Sequence, residues 1–226
     1  KRTNRPVETW GVEISPDRAR EAETRLDVVL QSPFEAVTWN HVRRGVCTVM
    51  FLNPPYDQND RGGRMELDFL KLAMPAMVPG SALVYVIPIT AIDYNLTEYL
   101  YRHFEDVNVF RFGDEAAGVG RYEQFKQIVV LATRRKDSLT YLYKDPEAQE
   151  AANAFCQAYS PRYARRHDRP LEDRVPVALP EGVVYAVPVA RKNARMRRYR
   201  YTAEEIADLV AGRWPEVEAR IAEMTL

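Results

Sequence analysis

The sequence predicts a three-layer α/β fold. Its sheet is largely parallel and ends in an antiparallel strand pair, and a small accessory segment follows at the C-terminal end. Three observations carry this expectation. Strand-like apolar runs alternate with helical stretches through the first half of the chain, as strands joined by right-handed helical crossovers require. Two of those runs, residues 45–52 and 82–88, are unbroken and suit strands covered on both faces. From residue 107 the alternation stops. Segments 107–112 and 127–132 are strand-like with no convincing helix between them, and the connection contains Gly113, Gly118 and Gly120. They read as an antiparallel pair with a long loop at the sheet edge.

Taken in order, residues 9–14 (Thr-Trp-Gly-Val-Glu-Ile) form a short buried strand ending in an acid. Ser15 then stands at an N-cap position with Pro16 at the first helical position, and residues 18–30 have helical composition. The run at 45–52 stops at Asn53. A helix is predicted over 65–77, with Leu67, Leu70, Met74 and Met77 on one side. Pro79-Gly80 marks a turn, 82–88 a strand and 96–104 a helix. Beyond Arg134 the texture changes. Residues 146–159 are helical, 161–180 form a loop rich in proline and arginine, and 183–189 form a short strand. Thr202-Ala203-Glu204-Glu205 is a capping box that opens a terminal helix. The expected division is a core at 1–137 and an accessory segment at 138–226.

The length of 226 residues allows one good core, with room for a small appendage. Apolar residues at 46% and charged residues at 28% are ordinary for a globular protein. No apolar run is long enough to span a membrane, and no signal-peptide core follows the basic start. Cys47 and Cys156 are too few for a disulfide framework or a zinc site. Cys47, inside an apolar run, reads as a buried structural thiol. A reducing cytoplasm fits these features. His41, His103 and His167 are scattered and form no metal pattern. No Ser-His-Asp arrangement or phosphate-cradling loop is visible.

Net charge is zero, from 32 basic and 32 acidic residues, which excludes a strongly basic coat. The cations are nevertheless clustered. Residues 191–200 hold Arg191, Lys192, Arg195, Arg197, Arg198 and Arg200 with no acid, beside Tyr199 and Tyr201. Arg162, Arg165, Arg166 and Arg169 form a second group. Such clusters suit phosphate contacts, with tyrosines for stacking; a solvated charged face is the simpler alternative.

Asn53-Pro54-Pro55-Tyr56 is the sharpest chemical signal. It follows a buried strand directly, where open α/β sheets place their ligands. An aryl amine is a poor nucleophile because its lone pair is delocalised into the ring. The Asn53 side-chain carbonyl and the Pro54 backbone carbonyl can each accept one of its N–H bonds, drawing the nitrogen toward tetrahedral geometry and stabilising the developing positive charge. Two prolines stiffen the turn that aims those oxygens. Tyr56 supplies a flat face for a planar substrate, an interaction worth about 1–3 kcal/mol elsewhere.

At this point residues 7–134 resemble the class I S-adenosylmethionine-dependent amino-methyltransferases. Their signature here is Asp, Asn or Ser, then Pro-Pro, then an aromatic residue. The resemblance implies a Rossmann-like methyltransferase sheet, and acceptors among adenine N6 or cytosine N4 in DNA, guanine N2 in RNA, or a protein glutamine amide. Gly11-Val12-Glu13-Ile14-Ser15-Pro16 is similar to the family's second motif, in which the acid binds the cofactor's ribose hydroxyls. Ser32-Pro33-Phe34 stands where the family has an Asp, a small residue and an aromatic against the adenine ring. Phe34 fits that role, whereas Ser32 replaces the Asp. The implied cofactor is S-adenosyl-L-methionine, held by Glu13, Ile14, Ser32 and Phe34. The family's glycine-rich first motif should precede Glu13, yet only twelve residues lie before it, with Gly11 the one glycine. The expectation is that this motif lies upstream of Lys1.

The favoured reading is methylation of adenine N6 in DNA. The target base leaves the duplex at a cost of a few kcal/mol, and the C-terminal segment around Arg191, Lys192, Arg195, Arg197 and Arg198 holds the backbone. Two alternatives stand beside it. One is the same chemistry on ribosomal RNA guanine or a glutamine side chain. The other is a catalytically inactive methyltransferase fold that binds nucleic acid, which the missing glycine motif and Ser32 favour. The polar loop 57–64 is a candidate substrate cover, or an ordinary solvated loop. The expected partner is a nucleic acid, with no membrane and no metal.

Overall fold

The computed structural model describes residues 7–37, 45–58, 62–112, 121–164, 175–178, 183–185 and 188. These fall in two compact units. The described part of the first is 7–37, and the second begins at Gly45.

In the first unit, β1 (Trp10–Glu13) and β2 (Val28–Gln31) are parallel, in register from Trp10 opposite Val28 to Glu13 opposite Gln31. They are joined by α1 (Pro16–Glu23), with Ser15 at the N-cap and Pro16 in the first turn; the Ser15 hydroxyl makes no cap bond. The helix predicted over 18–30 ends at Glu23, and β2 occupies most of the remainder. The cause is tertiary. The Asp27 carboxylate accepts hydrogen bonds from Thr9 N and Thr9 Oγ1, both at 2.7 Å, which turns the chain before β2. Val28, Val29 and Leu30 are then buried in the strand, where β-branched residues fit well. Gly11 packs closely on Leu26: a Cβ there would stand 2.6 Å from Leu26 Cδ1, so that side chain would have to shift.

The second unit carries a mixed sheet in the order β3 (Cys47–Leu52), β4 (Met77–Pro88), β6 (Gln127–Arg134), β5 (Phe104–Arg111). Strand β3 is parallel to β4, and the crossover between them contains α2 (Met65–Ala73). Strand β5 follows α3 (Tyr94–His103). Strand β6 inserts between β4 and β5, antiparallel to both. A short α4 (Arg121–Phe125), not anticipated from the sequence, precedes β6. In β4, Leu83, Tyr85, Val86 and Ile87 are 0–1% exposed; each buried aliphatic side chain there contributes roughly 1.5–3 kcal/mol. This strand is the spine of the unit.

Several expectations are corrected. The helix over 65–77 stops at Ala73, and Met74–Ala76 form a 3-10 turn containing Pro75 before Met77 enters β4. Pro79-Gly80 lies inside β4. The register with β3 slips there, and Gly80 adopts φ +81°, a conformation that favours glycine. Strand β3, expected to be covered on both faces, has Val49 at 51% and Phe51 at 63% exposure; these alternate residues share one face, over which no described element packs closely. No strand is assigned to 183–185 or 188, the described part of the strand predicted at 183–189. Instead the Tyr185 hydroxyl donates to Asp106 O (2.7 Å) and accepts from Asn108 Nδ2 (2.8 Å). Nearby, Arg111 N donates to Pro176 O at 2.8 Å, so residues 175–178 cover backbone groups of edge strand β5.

Past residue 137, α5 (Pro146–Tyr159) packs against α3, with the Tyr101 and Phe155 rings edge to face at 5.6 Å. The short α6 (Pro161–Ala164) follows it, within the stretch predicted as loop. Among the described residues no helix is long and apolar enough to cross a membrane.

Candidate active site

Strand β3 ends at buried Leu52, and Asn53-Pro54-Pro55-Tyr56 follow as an irregular turn at its C-terminal tip. Pro54 is buried, whereas Asn53, Pro55 and Tyr56 are exposed, Tyr56 by 39%. The turn is thus anchored by one proline and presents a side-chain amide and an aromatic ring outward. Its return into α2 is fixed at both ends. Gln58 and Arg64 form a bridge, and Met65 N donates to Asp57 O at 3.0 Å.

Beneath this return lies a charge the sequence reading did not single out. Glu66 is fully buried, and Arg64 grips its carboxylate with Nε (3.1 Å) and Nη2. Opposite Leu52 on β4, the buried Tyr85 hydroxyl donates to the Glu66 carbonyl oxygen at 2.6 Å. A buried carboxylate is tolerated only when paired in this way.

The Tyr56 hydroxyl donates to Asn53 Oδ1 at 2.6 Å and accepts from Gln127 Nε2 at 2.9 Å. Burial raises the Tyr56 phenol above its ordinary value; the Gln127 donor opposes this and the Glu66 charge adds to it. Tyr56 therefore remains a protonated donor at neutral pH. Asn53 Oδ1 has a second lone pair, so the turn can still accept one N–H from a ligand. Gln127 sits at the start of β6, opposite Pro88. It lies 71 residues from Tyr56, and no local signal marks it. Only the strand order brings it to the same end of the sheet.

The cofactor residues expected from the sequence lie in the first unit. Glu13 and Ile14 stand at the C-terminal end of β1, and Ser32 and Phe34 follow β2, its parallel neighbour. Ser32 N donates to Glu13 O at 3.1 Å, so the two chain segments are held side by side. Glu13 Oε1 accepts from Ser15 N (2.8 Å) and Arg18 Nη2 (3.0 Å). Ile14 is 44% exposed and Phe34 is half-buried in a 3-10 turn. Ser32 is 1% exposed, with its hydroxyl donated to Pro33 O at 2.9 Å. The chemistry of this set suits a nucleoside: a carboxylate beside an exposed aliphatic side chain at the ends of parallel strands.

Arg191, Lys192, Arg195, Arg197 and Arg198 lie outside the described residues, as do Arg165, Arg166 and Arg169. Among the described residues no group of three or more His, Cys, Asp or Glu side chains is arranged to hold a metal. Cys47 and Cys156 are free thiols. Cys47 is half-buried, and burial pushes its thiol up to about 11. A cavity of about 420 Å³ in the second unit is lined by Gly63, Arg64, Asp68, Lys71, Asp93 and Tyr99, among others.

A model of an uncharacterised methyltransferase family, DUF6094, matches residues 3–164, a span that includes all six strands found among the described residues. No curated protein matches the chain.

Proposed function

The chain belongs to this methyltransferase family, and from that premise we propose that it methylates an exocyclic amino group, N6 of adenine in DNA foremost, with S-adenosylmethionine as methyl donor. The observation that carries the proposal is the exposed Asn53 amide on a proline-stiffened turn at the tip of β3. When bound, the cofactor supplies an electrophilic methyl group on sulfonium sulfur. Glu13 would take the ribose hydroxyls and Ile14 and Phe34 the adenine ring, with Ser32 shaping the turn between them.

The chain's own residues act on the acceptor. Asn53 Oδ1 and the Pro54 carbonyl take the two N–H bonds of the amino group, which frees its lone pair for attack and stabilises the charge that develops. The Tyr56 face stacks the base and fixes its plane. Ring and amide must be aligned before the methyl arrives, and the stiff turn supplies that alignment in advance. The basic stretch Arg191, Lys192, Arg195, Arg197 and Arg198 is proposed to hold the nucleic-acid backbone, within an accessory segment at 138–226.

Incubating the protein with methyl-labelled S-adenosylmethionine and separate pools of DNA, RNA and protein tests the reading. Label in DNA adenine is the expected result. Label confined to RNA or protein would move the acceptor to guanine or glutamine, and no label anywhere would contradict the reading.

A further inference from the structure

We infer that Gln127 is a positioning residue for the proposed amino-methyl transfer, acting through the Tyr56 hydroxyl to fix the Asn53 amide with its carbonyl oxygen, rather than its NH2, as the bonded end. The inference rests on the methyl-transfer reading above and adds a residue to it.

The argument is one of hydrogen-bond direction. Gln127 Nε2 can only donate, and it donates to the Tyr56 oxygen at 2.9 Å. The phenol has one proton, which is then directed away from Gln127 and onto Asn53 Oδ1 at 2.6 Å. If the Asn53 amide were turned over, its NH2 would face an oxygen that already accepts a proton, and the phenol proton would lose its partner. With Gln127 presenting its NH2, as it does here, the chain Gln127 to Tyr56 to Asn53 favours one of the two Asn53 amide orientations, and it is the one a substrate amine needs. Each link polarises the next. One lone pair of Oδ1 holds the relay and the other is left for the substrate.

The head of the relay is well anchored. Gln127 pairs with Pro88 across β4 and β6, and Phe112 N donates to Gln127 O at 3.0 Å. Next to it, Lys126 adopts φ +51°, and its carbonyl accepts from Ile89 N at 2.9 Å. A donor set on paired backbone holds its target more accurately than one on a free loop. The relay also gives the Tyr56 hydroxyl a role separate from that of its ring.

The test is steady-state methyl transfer by Gln127→Ala, Gln127→Glu, Tyr56→Phe, Gln127→Ala with Tyr56→Phe, and Asn53→Ala. It is paired with the ¹³Cζ chemical shift of Tyr56 at pH 7 in tyrosine-labelled protein, assigned by its loss in Tyr56→Phe. Gln127→Ala and Tyr56→Phe should each lower kcat about tenfold with little change in KM for the acceptor, and the double variant should be no worse than the poorer single one. Gln127→Glu draws the phenol proton away from Asn53 and should lose at least as much as Gln127→Ala. The Tyr56 resonance should move in both Gln127→Ala and Asn53→Ala. Wild-type kcat in Gln127→Ala, losses that multiply in the double variant, or an unmoved resonance would overturn the relay. If the relay fails while Asn53→Ala is inactive, the methyl-transfer reading stands. If wild type transfers no methyl to any amino group, that reading fails, and the resonance still decides whether the relay exists.

Discussion

Glu13 already serves the fold, and the proposed function gives the same side chain a ligand as well. Its Oε1 is engaged by Ser15 N and Arg18 Nη2, which sets the carboxylate's direction at the end of β1. Ribose hydroxyls donated to that carboxylate would form charge-assisted bonds, each worth about 1.5–3 kcal/mol. Even the net loss of one such bond in Glu13→Ala should weaken S-adenosylmethionine binding by roughly 10- to 100-fold in calorimetry. At saturating cofactor it should leave the acceptor chemistry at Asn53 largely intact, and unchanged affinity would remove Glu13 from the cofactor site. The candidate residues that the sequence singles out are those whose chemistry is written contiguously: Asn53 to Tyr56 are four neighbours, and Glu13 closes an apolar strand. Gln127 and the buried Glu66 were not legible. A glutamine at the head of a strand and a glutamate in a helix's first turn are unremarkable in sequence. Their roles come from register, which sets Gln127 against Pro88 and Tyr85 against Leu52.

At the scale of elements, the turn at Asn53 depends on what fastens α2 beneath it. Tyr85 on β4 is fully buried and its hydroxyl bonds the Glu66 carbonyl. Tyr85→Phe removes the bond that ties β4 to that carbonyl and should cost about 0.5–1.5 kcal/mol, read as a lower urea midpoint with an unchanged m-value. A cost near zero would show that this link between β4 and α2 contributes little. Strands β3 and β4 and helix α3 are legible in the sequence, where apolar runs or helical spacing are long. The sequence misplaced the end of α1, since the helix-compatible composition of 18–30 is overridden by Asp27 bonding back to Thr9 and by Val28 and Val29 pairing with β1. It read Pro79-Gly80 as a turn because those residues usually end elements, whereas here they form an irregularity that lets β4 keep its pairing with β3.

For the whole molecule, pH is the most accessible variable. His103, at the end of α3, bonds Ser138 Oγ through Nδ1 at 2.8 Å and lies against the Tyr99 ring. Burial, then Arg102 and Arg134, lowers its pKa from 6.5 to about 4. The folded state thus binds fewer protons at this site than the unfolded chain does between those values. Its contribution to stability is complete above pH 6.5 and is lost as pH falls toward about 4. In thermal or urea unfolding, wild type should lose stability across that window more steeply than His103→Gln, and parallel profiles would contradict the assignment. The proposed division at residue 137 also bears on the whole. Helix α5 packs on α3 at the start of the proposed accessory segment, and the family match runs on through residue 164.

The most direct measurement is nucleoside mass spectrometry of DNA incubated with S-adenosylmethionine and either the wild-type protein or Asn53→Ala. Wild type should produce N6-methyladenine. The variant should produce at least about 100-fold less, the loss typical when a donor or acceptor at a developing charge is removed, while its cofactor affinity is retained. N6-methyladenine formed at equal rates by both proteins would show that the turn at the tip of β3 is not where the chemistry occurs.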